Sequence, residues 1–302
     1  MFGAFFYAYF RQLKCSCVTI VTFILIVRMQ FYIKIVNMEF LGYFLAVLVG
    51  ISLGLVGSGG SILTVPILVM VMGVDATLAT AYSLFIVGAT ALVGGIHSAI
   101  LKKVDFKTAL IFGIPSVIAV FLTRAYIVPL IPKVVFSIGS FEVTKSILLM
   151  LLFAIVMVAA SITMIRPQKK SAEIQGEKKY NFPLIFIEGT LVGALTGLVG
   201  AGGGFLIIPA LVLLAKIPMK EAVGTSLFII ASKSLIGFTG DLKGDEVIDW
   251  QLLIYFTLAA IIGIFIGLLL AKKIPGEKLK TGFGWLVLIM GIYIIIDELF
   301  LK

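Results

Sequence analysis

The chain is a series of apolar segments, most of them near twenty residues long, separated by short polar loops. Segments of that length can cross about 30 Å of hydrocarbon as helices. Strand-like alternation of apolar and polar residues is absent, and a lipid-exposed backbone must satisfy its own hydrogen bonds. The pattern therefore predicts an all-α, polytopic membrane protein.

The apolar segments fall into two groups of five. They are 39–56, 61–73, 77–101, 107–130 and 143–166 in the first group, and 182–199, 204–216, 221–240, 249–272 and 281–299 in the second. The second segment of each group is too short to cross a bilayer, follows a glycine-rich stretch and carries a proline, Pro66 or Pro209. Such segments are typical of broken half-helices that line a cavity or pack within the protein.

One sequence motif occurs in both groups. Residues 54–66 read GLVGSGGSILTVP, and residues 197–209, which lie 143 positions later, read GLVGAGGGFLIIP, with eight identities in thirteen positions. The same offset aligns 83–86 with 226–229, four residues for four. Two halves with glycine-broken segments at matching places are a sequence mark of secondary transporters, and the breaks point to the substrate site.

Loop charges predict how the segments are oriented. If each segment crosses once, one side collects the lysine-rich loops 102–107, 166–179 and 272–280, and the other collects the acidic loops 241–249 and 297–298. The lysine-rich side is expected to be cytoplasmic. Five crossings per half then make the second half enter the membrane upside down, which predicts two inverted repeats.

The predicted organisation has four parts. An N-terminal extension, 1–37, precedes repeat A at 38–166, and a polar cytoplasmic linker, 167–181, leads to repeat B at 182–302. The extension has no counterpart in repeat B. It is open to three interpretations: an additional helix, an uncleaved signal-like segment, or an artefact of start-site choice.

Composition excludes several classes of protein. A chain that is 61% hydrophobic and 13% charged, with a mean hydropathy of +1.20, is not a soluble globule. The net charge of +9 lies in loop lysines that set orientation, so no nucleic-acid partner is predicted. With one histidine, His97, and two cysteines, Cys15 and Cys17, a multi-histidine metal site is excluded. No catalytic residue, metal or cofactor is predicted.

The two glycine-rich breaks are the main candidates for substrate binding. Glycines allow positive φ and close approach of a ligand, and successive N–H groups at a helix N-terminus form an anion-binding nest. The alternative is close helix packing through small residues. The candidate residues are Gly57, Ser58, Gly59, Gly60 and Ser61 in the first break, and Gly200, Ala201, Gly202, Gly203 and Gly204 in the second.

Polar residues on the third segment of each half are further candidates. The hydroxyls of Tyr82, Ser83, Thr225 and Ser226 could donate to an oxyanion, or could bond to the backbone of their own helix. Lys233 lies midway along 221–240, where a charge is costly. It could neutralise an anionic substrate, or extend toward a lipid headgroup.

Two other polar residues are weaker candidates. His97 could relay protons, because imidazole changes charge near neutral pH, although an interfacial hydrogen bond is the commoner role. Arg124, near the end of 107–130, is interpreted as an interfacial anchor more than as a ligand.

The pattern G-L-x-G-x-G-G-x-x-L-x-x-P, once in each half, resembles the TauE/SafE family, also called the toluene sulfonate uptake permease family. The resemblance covers about 38–300. It implies transport of small sulfur oxyanions or organosulfonates, such as sulfite, thiosulfate or sulfoacetate-like species, often as export across the cell membrane. One departure is that Ala201 stands in repeat B where repeat A has Ser58, so only one half offers a hydroxyl there.

The predicted function is secondary transport of a small anion by alternating access around a site at the bilayer midplane. The expected partners are that anion, the lipid bilayer and a coupling proton or cation. A passive anion channel is the alternative. An intramembrane hydrolase using Ser58 and His97 is disfavoured, because the second break has alanine at the serine position and no third orienting group is evident.

Overall fold

The protein is described by a computed structural model. The described residues are 39–55, 57, 60–138, 141–165, 182–213, 217, 219–242, 248–271 and 276–301. The predicted extension 1–37 and the predicted linker 167–181 lie outside them, as do Ser58 and Gly59 of the first break.

Ten helices are described, and each matches one predicted apolar segment. Those of the first half are α1 (Glu39–Leu55), α2 (Ser61–Val71), α3 (Ala76–Ile100), α4 (Phe106–Leu130) and α5 (Lys145–Ile165). Those of the second half are α6 (Phe182–Val199), α7 (Gly204–Leu213), α8 (Met219–Asp241), α9 (Trp250–Leu270) and α10 (Gly276–Ile296), which a π-helical turn, Asp297–Leu301, extends.

The fold class agrees with the prediction. Five described helices, α3, α4, α5, α8 and α9, are long and apolar enough to cross a membrane. By contrast α7 has 10 described residues, which is about 15 Å of helix and half the hydrocarbon thickness. The chain is therefore an all-α, polytopic membrane protein with short helices after its glycine-rich breaks.

The sequence prediction missed one element, a short β-hairpin between α4 and α5. Strand β1 (Val134–Ile138) pairs antiparallel with β2 (Phe141–Thr144), and the register shifts between Val134 and Phe136. The segment is rich in β-branched and aromatic residues around a Gly-Ser turn, which is a hairpin signal. The fourth and fifth helices of the second half are joined by only five residues, 271–275.

The central pair of helices is α3 and α8. In each of them 67% of the most apolar stretch is buried, against 39–44% in α4, α5 and α9. Helices whose apolar surface is buried by protein occupy the centre, and helices with half-exposed apolar faces meet the lipid. The third segment of each half is therefore the core of the molecule.

Contacts between α3 and α8 occur in equivalent pairs, in which each half supplies the residue that the other half supplies in the second contact. Gly94 packs against Leu227, and Gly237 packs against Leu84. Both pairs of equivalent positions, 94 with 237 and 84 with 227, differ by the repeat offset of 143. Such an exchange is what a two-fold relation between similar halves would produce. It supports the predicted inverted repeat, which stays a prediction.

The N-termini of α4 and α9 repeat this exchange through hydrogen bonds. Asp105 and Asp249 each cap the helix that follows, by accepting from two backbone N–H groups. The N–H of Asp105 donates to Thr225 Oγ1 at 2.9 Å, and the N–H of Asp249 donates to the Tyr82 hydroxyl at 2.6 Å. Each half thus anchors a helix start of the other.

Candidate functional site

The second glycine-rich break is a tight backbone turn between α6 and α7. Gly200, Gly202 and Gly203 have φ of 74°, 62° and 61°, a region that other residues rarely adopt. The Gly200 N–H donates to Thr196 O at 2.8 Å and closes the end of α6. Three of the four residues 200–203 therefore have a backbone conformation that favours glycine.

Close approach is a second reason for glycine at position 203. A side chain there would collide with the Thr196 side chain and would lie 2.9 Å from the Lys233 ammonium. The missing side chain leaves room for Lys233 to reach the backbone that leads into α7. This glycine-rich turn therefore brings a cation to the start of a helix.

Lys233 is the most informative side chain of the site. It projects from the middle of α8, is fully buried, and donates from Nζ to Thr196 Oγ1 at 3.2 Å. Within the described part of the chain, no acidic side chain forms an ion pair with it. A buried cation without a counter-charge is costly, so an anion bound beside Lys233 would be stabilised.

The electrostatics of the start of α7 reinforce this preference. The N-terminus of an α-helix carries unpaired N–H groups and about half a positive charge. Gly204 is the first residue of α7, directly after the glycine against which Lys233 lies. A cation and a helix N-terminus at one buried position favour negative charge, and small oxyanions suit both.

The first half does not reproduce this cation. The position equivalent to Lys233 is Thr90, which is buried and donates to Ile86 O at 2.6 Å. In the first break Gly57 has φ of 77°, whereas Gly60 is helical and precedes α2. The two halves therefore share the break and differ in charge.

The two breaks meet at the centre of the molecule. A side-chain carbon added at Gly202 would lie 3.5 Å from Ser61 Cβ, at the start of α2. It would also meet Val87 of α3 and Ile230 of α8, which are equivalent positions 143 residues apart. The second break thus lies against the first break and against both central helices at once.

Ser83 faces the second break. Along α3, Thr80 packs against Gly200 and Val87 packs against Gly202. Ser83 is one turn from each of them, so it belongs to the same helix face. Its buried hydroxyl has no hydrogen-bond partner among the described residues. An unpaired buried hydroxyl is available to donate to a ligand.

The other predicted hydroxyls already have partners in the described structure. Ser226 donates to Val223 O at 2.9 Å, the internal helix bond considered as its alternative. Tyr82 and Thr225 accept the helix-start N–H groups described above. Their substrate-binding roles stay predictions, as do those of Ala201, which is buried, and Ser61.

Two residues near the breaks were not predicted. Thr64 on α2 and Ser234 on α8 are buried, and neither hydroxyl has a hydrogen-bond partner among the described residues. Ser234 is one turn beyond Ile230, which contacts the second break, and Thr64 is one turn beyond Ser61. The sequence signal that could have found them is a hydroxyl in an apolar helix: Thr64 is three residues from the candidate Ser61, and Ser234 is next to the candidate Lys233.

Apolar helices of spanning length, broken helices that meet in the core and a buried cation define the chain as an integral membrane transporter. The sequence profile of the family described as Sulfite exporter TauE/SafE matches residues 43–294. The chain belongs to this family.

Relatives of similar length support the same class. A probable membrane transporter protein of Xylella fastidiosa strain 9a5c is 31% identical, over 82% of this chain and 91% of the relative. Probable membrane transporter proteins of Bacillus subtilis and Methanocaldococcus jannaschii are 28% and 26% identical, over 86% and 83% of this chain and 100% and 95% of their own lengths. No solved structure shows a significant match.

Proposed function

We propose that this protein is a multi-pass secondary transporter of the cell membrane that exports a small sulfur oxyanion or organosulfonate. The family description supports the sulfur oxyanion and its direction. The observation that carries the proposal is the fully buried Lys233, beside Gly203 and the start of α7, without an acidic partner among the described residues.

An anionic substrate would neutralise the positive charge of the site and accept its hydrogen bonds. Its oxygens would accept from Lys233 Nζ, from the N–H groups at the start of α7 and from the Ser83 hydroxyl. Charge-assisted hydrogen bonds of this kind are about twice as strong as neutral ones. A ring of donors with one full charge suits a sulfite or sulfonate group better than a halide, because several oxygens can be bound at once.

Alternating access would act on this same position. The two breaks and the central helices α3 and α8 meet there, and the central contacts are exchanged between the halves. Rocking one half against the other could expose the position to each side in turn, as in other transporters built from repeated halves. A proton or cation gradient would then drive net export.

The test is flux through the purified full chain in proteoliposomes. We expect sulfite or thiosulfate uptake that saturates, that exchanges against unlabelled anion inside, and that falls at least tenfold in Lys233→Met. The surface variant Lys103→Met should transport normally, since Lys103 is exposed. Flux that rises linearly without exchange would indicate a channel, and no sulfur-oxyanion flux at all would refute the proposed substrate class.

A further inference from the structure

A second buried cation, Arg124, is not the interfacial anchor that its position near the end of 107–130 suggests. Arg124 belongs to the π-helical turn Thr123–Ile127 within α4 and is 1% exposed. Its Nη1 donates to Thr80 Oγ1 at 3.0 Å and to Asp241 Oδ1 at 3.4 Å. Arg124 therefore joins α4 to the start of α3 and to the last residue of α8.

Two donors on one edge of this guanidinium have no hydrogen-bond partner among the described residues. They are Arg124 Nε and Nη2, and both are buried. These two nitrogens lie side by side, and their parallel N–H bonds form the fork that binds two oxygens of a carboxylate or phosphate. Buried donors of a charged group are costly to leave unpaired, so a two-oxygen ligand would stabilise them.

Contacts of Arg124 connect it to the second break and to α8. Thr80, which binds Arg124, also packs against Gly200 of the second break. Gly240 of α8 packs against Arg124 and lies seven residues, or about 10 Å of helix, beyond Lys233. Lys233 and the point of α8 that contacts Arg124 are therefore about 10 Å apart, with Arg124 toward the end of α8 that loop charges predict to be outside.

We propose that the Nε–Nη2 edge of Arg124 is a second binding site for a small oxyanion, between the central site and the outer face. Asp241 holds Nη1 and offsets the charge while the site is empty. It also weakens the attraction for an anion, and a site on a transport path must release its ligand. The inference rests on the central site of the proposed function only for the direction of the path.

The test is thermal unfolding of the purified full chain, titrated with thiosulfate and, separately, with chloride. A ligand that binds only the folded state raises the unfolding midpoint, and the rise grows with the logarithm of ligand concentration relative to Kd. In Lys233→Met, which lacks the central cation, we expect a residual rise with thiosulfate and a much smaller one with chloride. Adding Arg124→Lys should weaken that residual response by roughly tenfold, because lysine keeps the charge and lacks the fork.

The controls separate binding from folding. Arg124→Lys can still pair with Asp241, so its midpoint without anion should stay close to that of its parent. Should it fail to fold, the paired substitution Arg124→Gln with Asp241→Asn removes both charges and should also lose the residual response. The double variant Asp245→Asn with Glu246→Gln should leave thiosulfate affinity unchanged. A rise in thiosulfate affinity in this variant would mean that a carboxylate of the chain already occupies the Nε–Nη2 edge, which overturns the proposal.

The remaining outcomes are distinct from failure of the proposed function. A residual response that survives Arg124→Lys, or that is absent in Lys233→Met while the wild type responds, overturns the second site and leaves the central one. Equal responses of wild type and Lys233→Met, both abolished by Arg124→Lys, would support the Arg124 site and contradict the central one. No response in any protein, the wild type included, would contradict both.

Discussion

At the residue scale, Lys233 is the observation that favours a binding site over a purely packing role for the glycine-rich break. Glycines at a helix break can serve close packing alone, as they do at many membrane helix contacts. A fully buried ammonium with one hydroxyl partner, Thr196, gives packing no benefit. The equivalent threonine of the first half makes an ordinary helix bond, so the charge is a departure from the repeat.

Gly203 allows a test with a matched control. Gly203→Ala should reduce thiosulfate affinity at least tenfold and lower stability, because its side chain would displace Thr196 and the Lys233 ammonium. Gly73 has a φ of 69° and nothing within 4 Å, so Gly73→Ala carries backbone strain of about 1 kcal/mol and no collision. Equal effects of the two substitutions on binding, measured by thermal titration, would contradict the role of Gly203 in leaving room for Lys233.

Ser83 provides a second residue-scale prediction. Because its hydroxyl is buried without a partner, Ser83→Ala should leave the stability of the anion-free protein unchanged or slightly higher. Thiosulfate affinity should fall by about three- to tenfold, the usual effect of one lost hydrogen bond. Ser98→Ala on the same helix is the control: Ser98 donates to Gly94 O, so its loss should alter stability and spare binding.

At the element scale, the N-termini of α4 and α9 are held by the opposite half. Tyr82→Phe and Thr225→Val each remove the acceptor of a helix-start N–H, and each should cost about 1 kcal/mol of unfolding free energy. Tyr126, exposed on α4, supplies the control Tyr126→Phe, which should be neutral. Denaturant unfolding of the three variants measures these losses. A loss of unfolding free energy in only one of Tyr82→Phe and Thr225→Val would contradict the equivalence of the two anchors.

The helices could be predicted from sequence because their signal is local. Apolar length and proline or glycine breaks fix where α2 and α7 begin, and both start at the predicted residue. The anchors of Asp105 and Asp249 could not be predicted, because they join residues 120 and 167 positions apart. The sequence makes the Tyr82 hydroxyl a binding candidate, but only tertiary packing shows what that hydroxyl binds.

The glycine-rich turn of the site is predictable because its signal is local in sequence, whereas the position of Lys233 beside it is not. The positive φ of Gly200, Gly202 and Gly203 follows from a glycine-rich turn before a helix. That Lys233 reaches this turn depends on how α8 packs against α6, which no local pattern encodes. The hairpin β1–β2 had a local signal, but the surrounding membrane segments favoured an all-helical interpretation.

At the scale of the whole molecule, the predicted orientation can be tested by labelling. Cysteines introduced at Lys170 and at Asp245, in a background without Cys15 and Cys17, should differ in intact cells. An impermeant thiol reagent should label position 245 and spare position 170, since the lysine-rich loops are predicted to be cytoplasmic. Permeabilised cells should label both. The opposite pattern in intact cells would reverse the orientation and the direction assigned to the Arg124 path.

The central claim is that an oxyanion binds between Lys233 and the start of α7. The most direct measurement is the anomalous scattering of selenium in crystals of the wild-type protein grown with selenite, a heavier analogue of sulfite. The account predicts a selenium peak within about 4 Å of Lys233 Nζ, next to the backbone of Gly203 and Gly204, that is absent in Lys233→Met crystals. Selenium bound elsewhere, with none beside Lys233, would contradict it.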